Sequence, residues 1–179
     1  MTSFAANELT KFADVKNHWA EKEIENWIEK GWVAGYTDGT FRPDKYVTRA
    51  EFLSFMNRSF GFSKAVEISF KDVKPNDWFY EEVRKAKAEE LIRGYEDGTL
   101  RPNNPITREE AAAIVARLLK LQTVDKDYLA NYKDKDEISN WSKDAVNALI
   151  ANGLLAGYED NMLRPKKFIT RAETNCNFE

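Results

Sequence analysis

Three arginines stand at the same place in a repeated four-residue pattern, and they could bind an anion. Arg49, Arg108 and Arg171 each occupy the second position of a Thr-Arg-x-Glu segment. Thr and Glu at this spacing form a capping box, so the pattern predicts a helix that begins at each Arg. The first turn of a helix presents unpaired N–H groups and the positive end of the helix dipole, and a guanidinium can bind a carboxylate through two parallel hydrogen bonds. We therefore predict an anion site at each of these helix starts.

The same arginines have a second interpretation. Each could pair with a neighbouring Glu or Asp and join one repeat to the next without touching a ligand, and the residues alone support both interpretations equally. A side chain at the first helical position projects from the helix end and need not be buried. If the arginines bind a ligand, replacing Arg49 or Arg108 by alanine should leave the thermal stability nearly unchanged. The glutamates of the pattern are interpreted as caps rather than ligands: Glu51, Glu110 and Glu173.

The four residues close a longer pattern that occurs three times, at 35–51, 94–110 and 157–173. Each copy starts with Gly-Tyr, passes through Arg-Pro and follows, by 16 residues, a Trp: Trp19, Trp78 and Trp141. The copies are offset by 59 and then 63 residues. A fixed recurrence indicates one supersecondary unit used three times, in which no unit buries its apolar face alone. We therefore predict one composite domain of three units, 12–60, 70–121 and 132–179, after an N-terminal tail or docking segment, 1–11.

Each unit is predicted to contain two helices, so the expected fold class is all-α. Apolar residues at helical spacing predict a first helix over about 19–30, 78–90 and 141–152. A second helix follows each Thr-Arg-x-Glu segment. In the third copy only six residues follow Glu173, which allows at most two turns. Its place must then be covered by the N-terminal segment or a partner chain, or the domain is loosened there.

The loop between the two helices is predicted to be a stiff turn. Asp-Gly pairs mark it in the first two copies, and Asn161 replaces the Gly in the third while still tolerating a left-handed backbone. A proline follows the loop arginine in every copy and should favour extended backbone at that arginine. These arginines are Arg42, Arg101 and Arg164.

The composition of the chain argues against several classes of partner and site. A net charge of −3 and a pI near 5.5 give no electrostatic signal for nucleic acid or for an anionic membrane surface. No apolar run reaches the length needed for membrane insertion. Residues 1–7 lack the pattern of a signal peptide, so the signal of an exported protein would be missing from this chain. With one histidine, His18, and one cysteine, Cys176, we expect no disulfide, metal site or cofactor.

The whole set of motifs resembles the surface-layer homology (SLH) family over about residues 12–173. The resemblance is carried by the Phe-x-Asp opening, the Trp before the first helix, the Gly-Tyr-x-Asp-Gly-Thr-x-Arg-Pro loop and the Thr-Arg-x-Glu helix start. It implies three motifs in a pseudo-threefold arrangement around a central helix bundle. It also implies a non-catalytic anchor in the extracellular cell wall or surface layer, as part of a larger surface protein. The expected partner is secondary cell-wall polysaccharide, bound through pyruvylated N-acetylmannosamine in grooves between motifs.

The resemblance favours ligand binding by the helix-start arginines, because a pyruvyl group offers a carboxylate. Other candidates have structural alternatives. The aspartates could form the turn instead of meeting a sugar hydroxyl, the tyrosines could be core, and the tryptophans could pack rather than stack on sugar rings. The predicted ligand-binding residues are Arg49, Arg108, Arg171, Asp38, Asp97, Tyr36, Tyr95, Trp78 and Trp141.

Two other function classes would leave different features in the sequence and on the surface. A protein-interaction scaffold in the cell envelope would show an exposed apolar patch rather than cationic clefts. A glycan hydrolase would use paired carboxylates. The repeated Asp and Glu residues fall at turn and cap positions instead, and no unique acidic pair breaks the repeat, so the sequence predicts a protein that is not an enzyme.

Overall fold

The computed structural model describes residues 12–176, and the predicted tail at 1–11 lies outside them. Six α-helices follow one another along the chain: α1 Glu21–Glu29, α2 Arg49–Phe60, α3 Tyr80–Ala88, α4 Arg108–Leu118, α5 Lys143–Ala151 and α6 Arg171–Cys176. Two single turns of 3-10 helix, Leu129–Asn131 and Lys135–Glu137, precede α5. Residues 12–176 contain no β-strand, only isolated bridges, so the all-α class is confirmed. None of these helices is long and apolar enough to cross a membrane.

The second helix of each unit begins at the predicted residue because its capping box forms. The Thr107 hydroxyl accepts the Glu110 N–H at 3.3 Å, and the Glu110 carboxylate accepts the Thr107 N–H at 2.9 Å. Thr48 with Glu51 and Thr170 with Glu173 make the same reciprocal pair. Two of the N–H groups that a helix start leaves unpaired are thereby satisfied.

Replacing Thr107 by alanine is expected to lower the free energy of unfolding by about 1 kcal/mol, because the Glu110 N–H loses its acceptor. Thr107→Ser keeps the hydroxyl and is the matched control. Chemical denaturation of both variants measures the difference. Equal destabilisation of the two would show that the lost methyl contact, rather than the cap, matters at this position.

The first helices are shorter than predicted. α1, α3 and α5 each begin two residues after the tryptophan, with no side-chain cap at their start. Gly31 and Gly153 follow α1 and α5 with φ of 72° and 70°. Glu90 takes the same left-handed backbone after α3, with φ of 58°, although it is not a glycine. The repeated conformation therefore overrides the residue type at this boundary.

Packing joins each unit to the next and the last to the first. α2 packs on α3, α4 on α5 and α6 on α1. Ahead of the second helices, three buried residues form a closed ring of backbone hydrogen bonds: Val47 N–H to Ile169 O at 3.0 Å, Ile106 N–H to Val47 O at 3.0 Å and Ile169 N–H to Ile106 O at 3.1 Å. Such a ring is what a pseudo-threefold arrangement requires. The arrangement around a central helix bundle stays a prediction.

Candidate functional site

The helix-start arginines cross from one unit to another. Arg49 Nε donates to the Leu100 carbonyl at 2.9 Å, and its Nη1 lies 3.0 Å from Glu110 Oε1. The guanidinium also lies over the Tyr95 ring, 5.1 Å from its centroid. All three of these contacts are with the second unit, so Arg49 links the first unit to the second.

The other two arginines continue the same cycle. Arg108 donates to the carbonyls of Leu163 and Ala156 in the third unit, at 2.9 and 3.1 Å. Arg171 donates to the carbonyls of Phe41 and Ala34 in the first unit, both at 2.9 Å. The exposed fractions of Arg49, Arg108 and Arg171 are only 8%, 7% and 3%. The expectation that these side chains project freely from their helices is therefore wrong, because each one donates to the carbonyl of a buried residue of another unit. Their role in ligand binding stays a prediction.

The capping glutamate is also the junction for the buried arginine. Glu51 accepts the Tyr36 hydroxyl at 2.7 Å and lies 3.4 Å from Arg171 Nη1. Burial by itself raises the pKa of Glu51. The hydrogen bonds from the Thr48 N–H and Tyr36, together with the nearby positive charges, outweigh this effect, so the net shift of the Glu51 pKa is downward. For Arg171, whose charged form is the protonated one, burial lowers the pKa. One carboxylate thus fixes a helix start, a tyrosine and an arginine of another unit.

The predicted site tyrosines are half-buried, and each ring lies close to two arginine side chains. The Tyr95 hydroxyl donates to Glu110 Oε1 at 2.5 Å. Its ring centroid lies 3.9 Å from the Arg101 guanidinium on one side and 5.1 Å from that of Arg49. Burial, followed by the Glu110 hydrogen bond, raises the pKa of Tyr95. Tyr36 repeats this arrangement with Arg42 and Arg171 at 4.4 and 4.8 Å.

The loop aspartates hold the turn. Asp97 Oδ1 accepts the Thr99 N–H at 3.0 Å and the Thr99 hydroxyl at 2.6 Å, and Asp97 Oδ2 lies 3.1 Å from Arg101 Nη2. Asp38 makes the same bonds to Thr40 and Arg42. The Thr hydrogen bonds, with the Arg contact after them, lower the pKa of both Asp38 and Asp97 to about 2. The structure thus shows the turn-forming role, while contact with a sugar stays a prediction.

Asp160 provides an internal control for these pKa values. Its Arg164 contact also lowers its pKa, but Met162 stands where the other copies have Thr and offers no hydroxyl. We expect Asp38 and Asp97 to titrate near pH 2 and Asp160 to titrate at a higher pH, in carboxyl-detected NMR titrations. Because the folded pKa values are depressed, these loops stabilise the fold fully above the ordinary pKa of 3.8 and lose this contribution as the pH falls towards 2. Thr99→Val removes the hydroxyl and keeps the backbone N–H, so it should raise the pKa of Asp97 alone; an unchanged value would assign the shift to the backbone N–H of residue 99 and to Arg101.

The loop arginines differ from the expectation of extended backbone. Arg42, Arg101 and Arg164 have φ values of 58°, 57° and 52°, which lie in the left-handed region. The backbone N–H groups of the loop explain this conformation. Asp72 accepts from Leu100 N at 2.8 Å and from Arg101 N at 2.7 Å. Asp14 and Asp134 hold the other two loops in the same way.

The sequence did not reveal that Asp14, Asp72 and Asp134 hold the loops, although the recurrence of an aspartate at this position in every unit was a signal for such a role. The aromatic residue two positions before it has a matching role, since its ring covers the glycine of Gly-Tyr. A Cβ on Gly94 would lie 2.5 Å from the Phe70 ring. The Phe-x-Asp opening therefore clamps the loop from both sides, with the ring on the glycine and the carboxylate on the backbone.

One cleft gathers four of the predicted site residues. Arg49, Tyr95, Asp97 and Trp141, one or more from each unit, line a volume of about 600 Å³. We call it the Trp141 cleft. Trp141 has an exposed fraction of 57%, and Trp78 one of 61%, so neither ring lies in the core, and contact with a sugar stays a prediction. Their exposure follows from their place before the first helical turn, outside the buried face of the helix.

The remaining predicted residues lie elsewhere. Tyr36 lies beside Arg171, and Asp38 is tied to the same place through Arg42. Arg108 lies 4.9 Å from the Tyr158 ring centroid, in the third unit. Trp78 precedes α3, which packs on α2. Among residues 12–176 no group of three His, Cys, Asp or Glu side chains is arranged to hold a metal ion.

The three repeated units agree with a comparison with known protein families. The S-layer homology domain matches residues 11–53, 69–112 and 131–174. The chain belongs to the S-layer homology domain family. Among relatives, it is 35% identical over 167 residues to exoglucanase XynX of Acetivibrio thermocellus, covering 90% of this chain and 15% of that protein.

Two further relatives are named for anchoring or for the surface layer. The cellulosome-anchoring protein of Acetivibrio thermocellus is 32% identical over 79% of this chain and 33% of its own length. The S-layer protein of Bacillus thuringiensis subsp. finitimus is 31% identical over 90% of this chain and 20% of its own length. The chain therefore spans a third or less of these relatives. S-layer homology domains are non-catalytic anchoring modules, and the relatives support cell-wall anchoring at the bacterial surface for this one.

Proposed function

We propose that this chain holds a larger surface protein on the bacterial cell wall by binding secondary cell-wall polysaccharide, through pyruvylated N-acetylmannosamine, in clefts between its units. The observation that carries the proposal is the Trp141 cleft, where an exposed indole faces a wall of guanidinium, phenol and carboxylate groups. An indole offers a flat apolar face to a sugar ring. The polar groups around it can orient hydroxyl and carboxylate substituents.

The volume of this open cleft suits a short stretch of sugar. About 600 Å³ lies within the usual range for small-ligand sites. Three units contribute side chains to the cleft, so it exists only when the repeats are assembled. Binding should therefore be lost on unfolding, and the melting temperature should rise with the logarithm of the ligand concentration once that concentration exceeds Kd.

A co-sedimentation experiment with purified bacterial cell walls tests this proposal. The protein should sediment with walls that carry the secondary polymer and stay in solution once the polymer has been removed. The isolated polymer should compete for binding. Retention on stripped walls would refute the anchor in this form.

One observation favours a protein-interaction scaffold as a second candidate. Tyr46 and Phe168 are 49% and 40% exposed, and their ring centroids are 5.6 Å apart in an edge-to-face contact. This exposed aromatic pair could meet an apolar surface of another envelope protein. Retention that depends on Tyr46 and Phe168 but not on the polymer would favour the scaffold.

A further inference from the structure

The Trp141 cleft contains four arginines, and two of them already have carboxylate partners. Arg49 Nη1 lies 3.0 Å from Glu110, and Arg101 Nη2 lies 3.1 Å from Asp97. Neither pair leaves a net charge for a ligand. The recognition of an added anion must therefore depend on the other two arginines.

Arg93 and Arg117 are those two arginines. Within residues 12–176 neither makes an ion pair with an Asp or Glu. Arg117 Nη1 donates to the Leu91 carbonyl at 2.9 Å, and burial together with the charges of Arg93 and Arg49 lowers its pKa. The like charges are thus close enough to repel one another. Among the carboxylates that line the cleft, Glu96 alone has no ion pair within the same range.

This pair is a departure from the repeat. Arg93 occupies the position that Ala34 and Ala156 hold in the other units. Arg117 corresponds to Arg58 of the first unit. Only the second unit therefore combines both guanidiniums.

The cationic surface continues beyond the Trp141 cleft. A second cleft of about 300 Å³ shares Arg93, Arg117 and Trp141 with the first and adds Lys120 and Asp144. A guanidinium held among like charges without a carboxylate has spare donors in a fixed planar array. Such a group binds a carboxylate through two parallel hydrogen bonds and relieves the repulsion at the same time.

We propose that Arg93 and Arg117 form the carboxylate-recognition site of the Trp141 cleft and make it the anion-selective cleft of the domain. This inference rests on the proposed function. The exposed Trp141 then packs against the sugar that carries the carboxylate. The helix-start Arg49 supports the cleft wall by holding Glu110 and Tyr95. Selectivity for an acidic sugar therefore belongs to two residues that the repeat pattern does not mark.

Calorimetric titration with purified pyruvylated wall polymer, and with the same polymer after mild acid removal of its pyruvyl groups, tests the pair. Wild-type protein should bind the pyruvylated polymer at least about 10-fold more tightly, because charge-assisted hydrogen bonds are lost with the carboxylate. The double variant Arg93→Ala/Arg117→Ala should bind both polymers within about 2-fold of each other. The double variant Arg93→Lys/Arg117→Lys should keep part of the discrimination, since it retains charge but not the planar fork.

Arg58→Ala is the matched control. It removes the same charge from the corresponding helix position of a unit that has Ala34 in place of Arg93, and it should keep the wild-type discrimination. Arg93→Ala alone guards against misfolding, because Arg93 is exposed and its loss should leave the melting temperature unchanged. The assignment would be overturned if Arg93→Ala and the double alanine variant kept the full preference for pyruvylated polymer, or if Arg58→Ala lost that preference to the same extent. Either result would leave the wall anchor in place. Wild-type protein that binds neither polymer would overturn the proposed function itself.

Discussion

Replacing Arg171 by alanine is expected to lower the free energy of unfolding by roughly 3–5 kcal/mol, the cost of removing one partner from a buried charged network. Arg171 is 3% exposed and donates to the carbonyls of Phe41 and Ala34. Its loss leaves both acceptors without this donor and removes a positive charge near Glu51. The variant also removes one of the links from the third unit back to the first, beside the backbone hydrogen bonds that remain there.

Urea denaturation of Arg171→Ala beside Arg58→Ala makes the comparison. Both variants lose one guanidinium from a second helix, but Arg58 is exposed and its loss should change the free energy of unfolding by less than about 0.5 kcal/mol. A loss below about 1 kcal/mol for Arg171→Ala would mean that water replaces the guanidinium at both carbonyls. The arginine would then be free for the ligand role that the repeat pattern suggested.

Removing the indoles of Trp78 and Trp141 together is expected to reduce retention on intact cell walls by roughly 10²-fold or more, with little change in stability. Each ring is more than half exposed, so its loss leaves no cavity. If the Trp141 cleft and a second site at the equivalent Trp78 engage one repeating polymer, the second contact is intramolecular, and the gain from avidity disappears when neither indole holds a sugar. The measurement is the fraction of protein bound to purified walls at a series of wall concentrations.

The single variants decide how many clefts work. Trp78→Ala and Trp141→Ala should each lose avidity, and Trp78→Ala should still bind a short polymer fragment through the Trp141 cleft. Phe60→Ala is the control, since it removes an exposed ring at the end of α2 and should leave retention unchanged. Wild-type affinity for a short fragment that equals the affinity for intact walls would contradict the use of two clefts.

Patterns within a few residues predicted the elements well. The capping boxes at Thr48 and Thr107 place the starts of α2 and α4 at the expected residues, because a cap depends on neighbours three positions away. α6 likewise begins at the predicted Arg171. The left-handed backbone at Asn161, with φ of 61°, follows equally from its own side chain.

The same patterns misjudged features that depend on another unit. Thr-Arg-x-Glu placed Arg171 at a helix start correctly, but the carbonyls that bury it lie about 130 residues earlier in the chain. Arg42 adopts a left-handed backbone before Pro43 because the distant Asp14 accepts its N–H. Neither set of partners lies within the few residues on which a local backbone or helix preference depends.

The sequence by itself therefore determined that this is an all-α chain of three related units, and which residues begin its second helices. It could not determine which side chains face solvent and which cross between units. Trp141 is exposed and Arg49 is buried, in the reverse of their usual preferences, because packing α4 on α5 leaves a cleft beside the indole while the carbonyl of Leu100 needs a donor. Helix positions follow from short-range hydrogen bonds, whereas burial and charge pairing follow from contacts between units that only the tertiary structure brings together.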